Sequence, residues 1–230
     1  APAGGQGVRD ALDILVRKGR IPPEESLDVV TLAGDGASYG MGLSATSAAI
    51  DRGLDFLYVC YDNEGYGNTG QQASAATPFA AATATTGAAG ALAGNPLGKK
   101  DLFAIWTANR PVYAATAIAS EPVDLARKVE KAKRLRGPKL LLVLAPCPTG
   151  WGFEPSELVE VGRLAVATGI FPLREWEDGR VAHTRVRRPR IPVDAYLRAQ
   201  GRFRHLFEPV RNEAAIARIQ HDVDAYCAAA

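Results

Sequence analysis

Two short apolar runs, Leu27-Asp28-Val29-Val30-Thr31-Leu32-Ala33 and Phe56-Leu57-Tyr58-Val59-Cys60, stand one helix-length apart, with the helix-patterned segment 41–52 between them. Two strands that run parallel in one sheet need a crossover of a dozen or more residues, and a helix is its usual filling. Such a crossover is right-handed. Both runs are nearly continuous in apolar residues, which marks strands buried on both faces rather than half-exposed ones. Residues 27–60 therefore read as a β-loop-α-β unit. The expected fold is α/β, an open mostly parallel sheet with helices on both faces.

The rest of the chain fits that frame. Helical spacing predicts a first helix over 6–18, stopped by Gly19 and Pro22-Pro23. Helices are expected over 101–108, 121–135 and 155–168, and strands over 112–116, 140–145 and 171–176. Residues 61–100 are rich in Gly, Ala, Ser, Thr and Asn and read as one extended functional loop, a length uncommon unless it binds or covers something. Over 174–211 the character shifts to ten Arg against five Asp+Glu, with prolines at 189, 192 and 209. That segment reads as a basic tail rather than more sheet, followed by a terminal helix over 212–226. The expected division is thus an α/β domain over 1–173 and a C-terminal strand, tail and helix over 174–230.

Chemistry concentrates at the carboxyl ends of the two strands, where an open α/β sheet places its ligands. The first loop is Gly34-Asp35-Gly36. The second is Asp62-Asn63-Glu64-Gly65-Tyr66-Gly67-Asn68-Thr69-Gly70. Adjacent parallel strands would bring the Asp35 carboxylate beside the Asn63 amide oxygen. Both are hard oxygen donors, and with a backbone carbonyl and two phosphate oxygens they would complete the octahedral shell magnesium demands. Glycines let a backbone approach phosphate closely, and helix N-termini favour the anion.

Gly-Asp-Gly followed by a distant Asn resembles the diphosphate-binding motif of thiamine diphosphate enzymes. The stretch from Tyr61 to Gly70, Ala76-Thr77-Pro78, Ala145-Pro146-Cys147-Pro148-Thr149-Gly150-Trp151 and Gln200-Gly201-Arg202-Phe203 together resemble the β subunit of 2-oxoacid:ferredoxin oxidoreductases of the pyruvate synthase type. The resemblance covers nearly the whole chain. It implies that Asp35, Asn63 and the Gly65 carbonyl ligate magnesium, that Asn68 lies beside the reactive ring, and that Gly34, Gly36, Thr69 and Gly70 line the diphosphate. It implies that Cys147 is one of four cysteines holding a [4Fe-4S] cluster. The other three belong upstream of Gly-Asp-Gly, where this sequence has none, and its Gly-rich start without Met reads as a missing N-terminal part. Ala73 departs from the Arg that pyruvate-type members often carry. The implied partners are an α subunit with a pyrimidine-binding domain, ferredoxin-like and γ subunits, a 2-oxoacid and coenzyme A.

Two rival readings come from other classes. Gly36-Ala37-Ser38-Tyr39-Gly40 fits the nucleophile turn of a serine hydrolase with Ser38 attacking, and only His183, His205 and His221 are available as its base. A non-enzymatic module would use the Arg-rich segment to bind nucleic acid, against which stands the nearly balanced overall charge of +2. No apolar run approaches the roughly 20 residues of a membrane span, and no secretory signal opens the chain, so the cytoplasm is the expected location.

Overall fold

The structure, a computed structural model, describes residues 1–23, 27–87, 93–185 and 190–228. Six strands form one sheet in the order β1-β2-β4-β3-β5-β6. They are β1 (Val30–Gly34), β2 (Phe56–Asp62), β3 (Tyr113–Ile118), β4 (Pro138–Leu144), β5 (Leu173–Glu177) and β6 (Arg180–Arg185). The first four are parallel to one another, and β5 and β6 add an antiparallel edge.

Strand residues alternate between two cores, as a pleat of period two requires. Tyr58, Cys60, Ala114, Leu140 and Leu142 face the larger core. There they meet α2 (Leu43–Asp51), α3 (Leu102–Ala108), α6 (Leu158–Thr168), α7 (Asp194–Arg198) and α8 (Glu213–Ala228). Leu57, Tyr113, Ala115 and Leu141 face the smaller core, which Val129 and Ala132 of α4 (Pro122–Arg134) cover. Helices therefore lie on both faces, and α1 (Pro2–Arg17) packs on α2 and the β1 edge. Among the described residues no helix is long and apolar enough to cross a membrane.

Three local differences from expectation have physical causes. The helix expected over 41–52 begins at Leu43, because Gly36–Met41 forms a π-helical turn first; such turns recur where a backbone is re-aimed at a site. After Cys147, residues Pro148–Trp151 close a short helix, α5, that the Pro-Cys-Pro context hid. The largest correction concerns the basic tail. Residues 180–185 are a sheet strand, reached through the tight turn Asp178-Gly179 with both φ angles positive, 49° and 77°. Asp-Gly between two strands is the preferred type I′ hairpin loop. Beyond it, α7 and a 3-10 turn (Gly201–Leu206) are anchored by buried Tyr196, Leu197, Phe203 and Leu206. Pro189, named among the tail's prolines, lies outside the described residues.

Candidate functional site

β1 and β2 pair in register up to Gly34 opposite Tyr61, so the loops leaving both strands emerge side by side. Asp35, only 2% exposed, follows directly. It makes no cap to the turn behind it. Instead its Oδ2 takes a short hydrogen bond from the Ser74 hydroxyl. Burial, and then the charge of Asp62, push the Asp35 carboxyl up to about 6 against the pull of Ser74.

The Asn63 side-chain oxygen stands 2.8 Å from Asp35 Oδ1 and 2.7 Å from the Gly65 carbonyl oxygen. The Asn63 amide is therefore within hydrogen-bond reach of both the Asp35 carboxylate and the Gly65 carbonyl. Turning the amide over would let its NH2 donate to both neighbours. As the amide stands, the spacing suits a small hard cation, since adjacent corners of an octahedron with magnesium-length bonds are about 2.9 Å apart. Among the described residues no three His, Cys, Asp or Glu side chains gather into a metal site, so a cation here depends on such a mixed set of carboxylate, amide and carbonyl oxygens.

The loop carrying Asn63 is fixed from behind at nearly every polar atom. Trp151 Nε1 donates to the Asn63 carbonyl at 2.8 Å, and the Thr77 hydroxyl donates to the Glu64 carbonyl at 2.8 Å. Asp62 is fully buried and accepts from the Glu64 N–H, at 3.0 Å, and from the Tyr39 hydroxyl, at 2.7 Å. Lys99 Nζ lies 2.6 Å from Asp62 and 2.7 Å from Glu64, whose other oxygen takes Arg202 Nη2 at 2.6 Å. Burial opposes the Glu64 charge, but the adjacent Lys99 and Arg202 hold its carboxyl below the usual range. Lys99 is likewise held protonated against burial by Asp62 and Glu64.

Tyr66 lays its ring where a side chain on Gly36 would sit, 2.1 Å from an ideal Cβ, so this position tolerates no larger residue. Asn68, Thr69 and Gly70 stand on the exposed tip of a turn closed by pairing of Tyr66 with Gln72. Thr69 bonds to Gln72 there. No hydrogen bond joins these three residues to the Asp35–Asn63 cluster. β4 lies beside β2, so the Cys147 turn emerges next to the Asn63 loop. The Cys147 sulfur is half-buried and accepts from Gly150 N–H at 3.4 Å.

Both rival readings lose their footing. Ser38 is fully buried, and its hydroxyl is engaged with the Gly34 carbonyl and the Tyr58 hydroxyl, each at 2.8 Å. No substrate carbonyl reaches it. Of the arginines meant for nucleic acid, four pair within the chain: Arg198 and Arg211 with Asp194, Arg190 with Asp224, Arg202 with Glu64.

Sequence reasoning missed Ser74, Lys99, Trp151 and Arg202 as parts of this site. Trp151 and Arg202 stood in the motifs quoted above, yet nothing in the pattern said that they grip the second loop from behind.

Residues 18–143 match the family model of the thiamine pyrophosphate enzyme C-terminal TPP-binding domain. The chain is 44% identical over 227 residues to the pyruvate synthase subunit PorB of Methanocaldococcus jannaschii, covering 99% of this chain and 74% of that protein. It is 39% identical over 202 residues to the ketoisovalerate oxidoreductase subunit VorB of Pyrococcus abyssi, covering 87% of this chain and 64% of that one. The fold also matches a solved 2-oxoglutarate:ferredoxin oxidoreductase from Magnetococcus marinus, with a TM-score of 0.53 and 24% identity over 65% of this chain and 45% of that one. With a family model across more than half its length and a relative 44% identical over 99% of it, the chain belongs to the thiamine diphosphate-binding subunits of 2-oxoacid oxidoreductases.

Proposed function

We propose that this chain supplies the magnesium and diphosphate half of a thiamine diphosphate site, in an enzyme that oxidatively decarboxylates a 2-oxoacid such as pyruvate to acyl-coenzyme A and carbon dioxide. The observation that carries the reading is that the Asn63 side-chain amide lies 2.8 Å from Asp35 Oδ1 and 2.7 Å from the Gly65 carbonyl oxygen, which brings a carboxylate, an amide and a carbonyl together. Asp35 contributes the negative charge, Asn63 and Gly65 the neutral donors, and Ser74 orients the carboxylate by occupying its second oxygen. Thiamine diphosphate, when bound, supplies the electron sink that lets a 2-oxoacid release carbon dioxide. Gly34, Gly36, Thr69 and Gly70 are assigned to the diphosphate and its surroundings, and Asn68 to the neighbourhood of the reactive ring, by their places in the two loops.

The remaining groups are assigned outside this chain: an α subunit with a pyrimidine-binding domain facing the two loops, and ferredoxin-like and γ subunits as electron carriers. The acyl acceptor is coenzyme A and the location cytoplasmic. Cys147 is proposed as one ligand of a [4Fe-4S] cluster. A cluster of this kind takes four thiolates, and neither buried Cys60 nor Cys227, which bonds to the Gly169 carbonyl, stands with it. This chain's described residues do not fit a complete cluster, so no electron step is derived from them. Pyruvate is the favoured substrate because a relative 44% identical over 99% of this chain is a pyruvate synthase subunit.

Calorimetric titration with thiamine diphosphate and magnesium tests the reading. Asp35→Ala should weaken uptake by about a hundredfold or more, since it removes the one anionic donor from a hard-cation site. Asn63→Ala, which removes a neutral donor, should cost less. Unchanged affinity in Asp35→Ala would refute the assignment.

A further inference from the structure

Arg202 comes from the segment that sequence composition marked as tail, yet it is 5% exposed and reaches a residue 138 positions earlier. That residue is Glu64, the one between the two neutral oxygen donors, Asn63 and Gly65. Glu64 adopts φ of +62°, a left-handed conformation costly for any residue with a Cβ. The chain holds this turn because the Glu64 carboxylate is gripped from both sides. Lys99 takes Oε1 at 2.7 Å and Arg202 takes Oε2 at 2.6 Å.

Arg202 is itself built in. Its Nε donates to Gln200 Oε1 at 2.8 Å, and its guanidinium stacks 3.9 Å from the centre of the Trp151 ring. That same indole donates to the Asn63 carbonyl. One cation thus braces the second loop along two routes, through Glu64 and through Trp151. The charges matter as well as the contacts. Asp62 and Glu64 are matched by Lys99 and Arg202, while Asp35 beside Asn63 has no ion-pair partner among the described residues.

We propose that Arg202 is a positioning residue for the cation and diphosphate site, acting through Glu64 to hold the Asn63 and Gly65 oxygens in their converging arrangement. The inference rests on the proposed function, since the site it positions is the one assigned there. It also gives the C-terminal segment a role: its docking carries the cation that organises a loop far away in sequence.

The test uses the full chain with Mn2+ as a spectroscopic substitute for magnesium and thiamine diphosphate or inorganic pyrophosphate as the anion, with Mn2+ uptake read by electron paramagnetic resonance. Groups that orient metal ligands from behind typically cost about 10–100-fold in metal affinity when removed. Arg202→Met should therefore weaken Mn2+ binding at least about tenfold, with a broadened signal from a less ordered site. Arg202→Lys, which keeps the charge but not the fork or the stacking, should recover part of the loss. Glu64→Gln should weaken binding similarly, and the double variant should lose less than the sum of the two single losses, because Arg202 and Glu64 share one contact.

Leu206→Ala, which hollows the same buried turn away from the Glu64–Arg202 pair, separates stability from positioning. Measured well below its melting temperature, it should leave Mn2+ affinity within about twofold. If Arg202→Met does not fold, Glu64→Gln decides alone. Mn2+ affinity unchanged in Glu64→Gln or Arg202→Met, or lost equally in Leu206→Ala, would overturn the positioning role. A wild-type chain that takes up no Mn2+ with either anion would overturn the underlying assignment itself, a result distinct from the first.

Discussion

Strands β2 and β4 carry a cluster of charges at each end, and the two clusters are built on opposite terms. At the entry end, Asp55 meets Arg136 at 2.9 Å, the Gly137 N–H at 3.1 Å and the Lys139 ammonium. Asp55 is 26% exposed and Arg136 67%. At the exit end, Asp62, Glu64 and Arg202 have side chains no more than 3% exposed, and Lys99 joins them. The entry cluster closes a strand end with residues already adjacent in the sheet. The exit cluster gathers residues from the second loop, the end of the long loop and the C-terminal turn. Taking ions out of water costs several kcal/mol each, so an ion pair in water contributes little while a dry one is costly to assemble and costlier to break. The entry cluster is partly wet, since solvent reaches Asp55 and Arg136 while Lys139 is buried. The exit cluster is where the fold gives up solvation to fix a loop.

The sharpest way to break that contrast is to remove a cation from the exit end, where Asp62 and Glu64 are almost wholly buried although Lys99 itself is 23% exposed. Lys99→Met leaves Asp62 and Glu64 buried with one positive charge between them, and breaking a buried pair by removing one partner costs about 3–5 kcal/mol. Chemical denaturation at pH 7 should show a loss of that order. A loss no larger than that of Asp55→Asn would mean that the exit cluster is wetter than its exposure indicates. A smaller effect is expected from Trp151→Phe. It keeps most of the ring under Arg202 but strips the donor from the Asn63 carbonyl, and an unsatisfied buried acceptor costs about 1–3 kcal/mol. Because that carbonyl belongs to the Asn63 loop, the variant should also bind magnesium with thiamine diphosphate more weakly than wild type in the same titration.

The two ends also differ in how far they could be read beforehand. Adjacency of the Asp35 and Asn63 loops follows from the crossover argument alone, since parallel neighbours must end on the same side of the sheet, and the structure pairs Gly34 with Tyr61. The acidic pair Asp62 and Glu64 was visible, but its partners were not. Charge composition states how many cations exist and says nothing of which one, 138 positions away, reaches a given carboxylate. High arginine density over 174–211 suggested solvated tail, and it masked an Asp178-Gly179 hairpin signal present in the same residues. Arginines resemble a solvated run until stacking and pairing partners are known, as with Arg174 between the rings of Phe103 and Tyr226. The π-helical turn at Gly36–Met41 had no pattern of its own, being a local adjustment between a strand end and a helix.

The smallest effect belongs to the entry cluster, and its pH dependence distinguishes it from the exit cluster. Burial alone would raise the Asp55 carboxyl, but hydrogen bonds from Lys139, Arg136 and the Gly137 N–H outweigh it and hold the group below its ordinary value of 3.8. A carboxylate whose pKa is depressed by folding contributes stability that is fully present above its unfolded pKa and is lost as pH falls through the folded one. Asp55→Asn should therefore cost about 1 kcal/mol or less at pH 7, the range of a partly exposed pair. The difference from wild type should stay constant down to about pH 5 and shrink below about pH 4, where wild type itself begins to take up the proton. Raising the salt to about 1 M shortens the screening length to roughly 3 Å and should erode the same difference at pH 7. It should erode the loss in Lys99→Met less, because the carboxylates of Asp62 and Glu64 are 0% and 3% exposed. Urea denaturation of both variants at two pH values and two salt concentrations makes the comparison. A salt response of equal size in the two variants would show that the ends of these strands share one dielectric environment.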